Sequence, residues 1–99
     1  MFNFRKIREI QKILCVEDIQ GLRVFGKLEL GLYQTEAELI AKELKKSINS
    51  DFIKLSIEAV FRDIYEDDFI YDPEKIERAQ ILVTELYKKI RFVTVFKRR

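Results

Sequence analysis

From Phe4 onward, apolar side chains return at Ile7, Ile10, Ile13 and Leu14, with Arg5, Lys6, Arg8, Glu9 and Lys12 between them. That spacing predicts an amphipathic helix over residues 3–15, with Asn3 as N-cap and Phe2 stapled to Ile7. Arg5, Lys6 and Arg8 fall in its early turns, where the helix dipole favours acids, so tertiary contacts or a partner must help hold it. The next pattern has period two. Leu22, Val24, Leu28, Leu30 and Leu32 take even positions and Arg23, Lys27 and Glu29 odd ones, which predicts a half-buried strand over 20–34, kinked at Gly26. Thr35 and Glu38 form a capping box before a helix that buries Ala37, Ile40, Ala41, Leu44 and Ile48 and stops at Asn49-Ser50.

Ile53, Leu55, Ile57, Ala59 and Phe61 then alternate with Lys54, Ser56, Glu58 and Arg62, a second strand over about 52–62. Asp72-Pro73-Glu74 is a helix start: Asp72 caps, Pro73 fits the first helical position, and Tyr71 is placed to staple onto Ile76. The helix runs from 73 to about 90 with Ile76, Ala79, Val83, Leu86, Tyr87 and Ile90 inward. The β-branched and aromatic run RFVTVF, 91–96, predicts a last strand, and Phe69 to Tyr71 supply a short one before the helix.

The expected fold is therefore α+β: a single domain over 1–99, a two-layer sandwich with a mainly antiparallel sheet and helices on one face. Its order is ferredoxin-like, the split βαβ arrangement, with an extra N-terminal helix at about 3–15 and a sheet-and-helix core at about 20–97. The far face of that sheet would carry Phe25, Tyr33, Phe52, Val60, Phe92 and Phe96. An apolar face of this kind needs a cover, either the N-terminal helix or a second copy in a symmetric homodimer.

Composition narrows the chemistry. Charged residues make up 36% of the chain, well above the roughly 25% usual for soluble domains, while His and Trp are absent and Asn plus Gln total six. That profile is the one favoured at high temperature, and it points to a highly stable protein. Without histidine, every Ser-His, Cys-His or His-ligated metal scheme is excluded. The lone Cys15 forms no internal disulfide and reads as a core or boundary residue, so a reducing, intracellular compartment, the cytoplasm, is expected. No apolar run reaches the length of a membrane span. Gly21, Gly26 and Gly31 form neither a dinucleotide nor a phosphate-binding loop, and no cofactor or small-molecule ligand is indicated.

Two charged constellations remain. Asp63, Glu66, Asp67 and Asp68 are the acids of a conceivable carboxylate-only metal site, as in a nuclease, but neighbouring side chains on one short segment diverge, and a solvated loop is the expectation. Charge also runs in blocks: residues 63 to 77 carry seven acids and one lysine, residues 78 to 99 seven bases and one acid. With Arg5, Lys6, Arg8 and Lys12 at one terminus and Lys97, Arg98 and Arg99 at the other, candidate basic contacts flank candidate acidic contacts at Glu66, Asp67 and Asp68. The basic termini suit nucleic-acid phosphate or the acidic loop of a neighbouring molecule.

By its length, charge richness and MFNF and FKRR ends, the whole chain resembles a small protein of filamentous and rod-shaped viruses of thermoacidophilic archaea. The resemblance implies a stable viral protein in the host cytoplasm, of undefined activity, and assigns no role to any residue. The expected function is that of a non-enzymatic interaction or accessory protein that self-associates. A nucleic-acid-binding protein is the alternative, and a metal-dependent nuclease the third reading.

Overall fold

A computed structural model describes residues 4–22 and 31–97, with the backbone alone for 90–97. Four helices account for most of it: α1 (Phe4–Glu17), α2 (Gln34–Glu43), α3 (Ser50–Tyr65) and α4 (Pro73–Lys97), with a 3-10 turn at Glu66–Asp68. Among the described residues there is no strand, so the expected α+β sandwich of ferredoxin-like order is overturned by an all-helical fold. Each helix packs against two others, α1 on α2 and α4, and α3 on the same two, forming a closed ring around one apolar centre. Ile10, Leu14, Ile40, Ile53, Ile57, Phe61, Ile76 and Val83 fill that centre and are all but sealed from solvent.

The second strand fails for a readable reason. Ile53, Ile57 and Phe61 are spaced by four, which is two strand repeats and also one helical turn, so they satisfy both periods. Leu55 and Ala59, which only the strand reading would bury, are exposed, whereas Val60 and Ser56, which only the helical reading would bury, are inside. The helix also has its own start signal. Asn49, expected to end the preceding helix, instead caps α3: its side-chain oxygen accepts from the amides of Asp51 and Phe52 at 2.9 and 3.3 Å.

At the other end of the chain RFVTVF is not a strand either. α4 carries on through it to Lys97, because extending an established helix fixes one residue per hydrogen bond and overrides a modest β preference. Its start is as expected, with the Asp72 carboxylate accepting from the amides of Glu74 and Lys75. Residues 68–71 form no strand, and only part of the predicted strand over 20–34 lies among the described residues. Its end, 31–33, is a turn; Gly31 there takes φ of 90°, a backbone that favours glycine. α2 lacks the capping box: its cap position is Tyr33, and no side chain bonds there.

Candidate functional site at one end of the bundle

Three pairs fix how α1 and α4 run. Lys75 Nζ donates to the carbonyl of Asp18 at 3.0 Å, Arg78 Nε donates to Glu17 at 2.7 Å, and the Lys6 ammonium lies 4.9 Å above the Tyr87 ring. Climbing α4 from 75 to 87 descends α1 from 18 to 6, so the two helices are antiparallel in register. The end of α1, the start of α2, the end of α3 and the start of α4 consequently meet at one end of the molecule.

That end is a polar and aromatic lattice. Tyr33 Oη donates to Asp18 Oδ1 at 2.6 Å and accepts from the Gln20 amide at 3.0 Å, while the Leu22 amide donates to the same Asp18 oxygen. The buried Gln20 side chain reaches across the chain: Nε2 donates to the Asp68 carbonyl at 2.5 Å, and Oε1 accepts from the Ile70 amide at 3.2 Å. Tyr65 Oη donates to the buried Glu36 carboxylate at 2.5 Å. Phe61 anchors the aromatic part, its ring centroid 5.8 Å from those of Tyr33 and Tyr65 and 6.3 Å from that of Phe69. Phe69 in turn meets Tyr71 edge-on, and the Arg62 guanidinium sits 5.6 and 5.7 Å from these two rings, within cation–π range. Asp18, Tyr33 and Glu66, the residues other than glycine with positive φ among those described, all belong to this end. Such backbone costs of order 1–3 kcal/mol each and persists only where surrounding contacts hold it.

Burial and carboxylate partners favour the protonated form of the lattice phenols. Burial, then the hydrogen bond to Asp18, pushes the Tyr33 phenol far above its ordinary value; burial, then Glu36, does the same for Tyr65. Tyr87, near the opposite end, is raised by burial to about 12, and its hydroxyl has no hydrogen-bond partner among the described residues. Neutral phenols supply neither nucleophile nor base. Cys15 is buried, with its thiol 3.4 Å from the Leu32 carbonyl. Among the described residues, no three of His, Cys, Asp and Glu converge to hold a metal ion, so Asp63, Glu66, Asp67 and Asp68 are not gathered as a nuclease site would need.

The candidate contacts fall in different places. Glu66, Asp67 and Asp68 are exposed on the 3-10 turn. Arg5 and Arg8 are exposed on α1, Lys6 stacks on Tyr87, and Lys12 pairs with Glu9 at 3.1 Å. Lys97 closes α4, its side chain outside the described set along with Arg98 and Arg99. The sheet expected to carry the apolar face is absent among the described residues. Tyr33 and Val60 are core residues and Phe52 packs half-buried against the core. Phe25 and the side chains of Phe92 and Phe96 lie outside the described residues.

Gln20, Glu36 and Arg62 were not singled out from the sequence. Glu36 had a signal: it lies four before Ile40, on the stripe that the helix buries, and a carboxylate there requires a donor. Gln20 had none, since its partners are backbone groups 48 and 50 residues away. Compared with protein-family models, curated proteins and solved structures, the chain matches none, and the viral resemblance of its ends gains no support from them.

Proposed function

We propose that the protein is a non-enzymatic interaction module that works by self-association. The observation that carries this reading is the apolar surface left outside the core: Leu55 is 61% exposed, Ile70 58%, Ile81 52%, and Tyr71 and Leu82 more than 40%. A large apolar side chain is worth about 1.5–3 kcal/mol between exposed and buried, so covering the open half of each recovers about 1 kcal/mol. Two or three such side chains in one contact recover about 2–3 kcal/mol, so charge complementarity has to supply much of what offsets the roughly 4–15 kcal/mol that association costs in lost freedom. Such a balance gives weak to moderate affinity, suited to reversible assembly. Sedimentation velocity over a concentration series tests it. The expected result is a shift to larger species with concentration, reduced in an Ile70→Asp variant that keeps its helical circular dichroism. A wild-type protein that stays monomeric throughout overturns the reading.

A second reading has its own support. The antiparallel register brings Arg5 and Arg8 to the same end as Lys88 and Lys89, a cationic surface suited to nucleic-acid phosphate. A gel-shift titration at low salt tests it; no retardation there removes it.

A further inference from the structure

The same register that gathers bases at one end gathers acids at the other. Where α3 hands over to α4, the exposed acids Asp63, Glu66, Asp67, Asp68 and Glu74 flank the exposed Ile70 and Tyr71 along the chain, with the Arg62 guanidinium stacked on Tyr71 and Phe69. Among the described residues, the other cations at this end are Arg78, paired with Glu17 and Glu74, and Lys75, which donates to the Asp18 carbonyl. At the far end, the Lys6–Tyr87 contact sets Arg5 and Arg8 at the level of Lys88 and Lys89, and Phe4 there is 72% exposed. Among the described residues, the acids toward that end are Glu9, which pairs with Lys12, Glu43, which pairs with Lys46, Asp51 and Glu85. Among the described residues, each end thus combines exposed apolar side chains with charge mainly of one sign, and the two signs are opposite.

We propose that these ends dock on one another, the acidic end of one copy receiving the basic start of α1 and the flanking α4 lysines of the next. This rests on the self-association reading and adds its geometry. The contact uses two different surfaces, so it is heterologous: one copy leaves a free end of each sign, and assembly continues into a ring or an open chain instead of stopping at a two-fold dimer. The charge pattern also disfavours the two like-ended contacts, since acid end on acid end or basic end on basic end sets like charges face to face.

The test pairs wild type with two full-length variants, Arg5→Glu with Arg8→Glu, and Asp67→Lys with Asp68→Lys, each checked for unchanged helical circular dichroism. By sedimentation, wild type should form species beyond a dimer, and association should weaken by about tenfold or more as salt rises from about 0.01 M to about 0.15 M, where the screening length falls from about 30 to about 8 Å. Each variant alone should be monomeric. An equimolar mixture should reassemble, because the intact acid end of the first meets the intact basic end of the second. Assembly that ignores salt and both charge reversals keeps self-association but overturns this contact. A wild type monomeric at every salt and concentration overturns both, and if it then retards nucleic acid, the basic end serves that polymer instead.

Discussion

Replacing Gln20 by Met removes one amide while keeping nearly the same volume, and it isolates what holds the acidic turn to the bundle. Gln20 is 4% exposed, and both ends of its amide are used, Nε2 on the Asp68 carbonyl and Oε1 on the Ile70 amide. Each hydrogen bond contributes about 0.5–1.5 kcal/mol net, so the pair is worth about 1–3 kcal/mol. Asp68 and Ile70 are exposed residues, which lets water reach the freed backbone groups and moves the expected loss to the lower half, about 1–2 kcal/mol. For a domain of this size that lowers the melting temperature by about 4–16 °C. Urea titration should show a lower midpoint with an unchanged slope, since the surface exposed on unfolding is the same. Hydrogen exchange should localise the effect, with the Ile70 amide losing protection and the amides inside α3 changing only as global stability does. A loss under about 0.3 kcal/mol, or an Ile70 amide as protected as before, would refute the role given to Gln20.

Three further outcomes follow from named contacts. Tyr33, Tyr65 and Tyr87 all have folded pKa values raised above 10, so above about pH 10 the unfolded chain sheds phenolic protons that the fold retains. Stability is full below pH 10 and falls through the alkaline range by about 1.4 kcal/mol per pH unit and phenol, about 4 in all; urea midpoints between about pH 9 and 12 should track this, Tyr87→Phe should cut the slope by about a third, and a flat profile contradicts it. Tyr65→Phe strips the buried Glu36 carboxylate of its phenolic donor and should cost about 1.5–3 kcal/mol, and a double-mutant cycle with Glu36→Ala should show coupling of about 1 kcal/mol or more. Asn49→Ala and Asp72→Ala should each lose about 1 kcal/mol at the caps of α3 and α4, and additively, because the caps share no partner.

What the sequence disclosed about the fold depended on whether a segment's signals were degenerate. α1 and the start of α4 were legible because apolar spacing and, for Asp72-Pro73, the terminal signal agreed on a helix. Residues 50–65 were misread because Ile53, Ile57 and Phe61 fit both periods, and the deciding evidence was at positions easily passed over. Val60 next to Phe61 fits a helical face and breaks a strand's alternation, and Asn49 is a cap as readily as a stop. RFVTVF was misread because its side chains favour strands, while its backbone state is inherited from the helix behind it. The candidate site was less legible still. Glu36 betrayed itself by phase, but Gln20 meets its partners only after the four helices have closed the ring, a relation no local pattern encodes.

The charge blocks show the same dependence from the other side. Along the chain the order is basic, acidic, basic, and that order alone does not decide whether the folded molecule is polar. Had α1 and α4 packed in parallel, Arg5 and Arg8 would lie against Glu74 and Glu77, and neighbouring charges would cancel. The pairs Lys75 with Asp18, Arg78 with Glu17 and Lys6 with Tyr87 impose the opposite direction, so the two basic segments meet while the acids are carried about 18 Å away, twelve residues of helix. At that distance the ends are independent at physiological ionic strength, where screening acts over about 8 Å, and neither neutralises the other within one copy. The charge each end still carries is then available to the complementary end of a second copy.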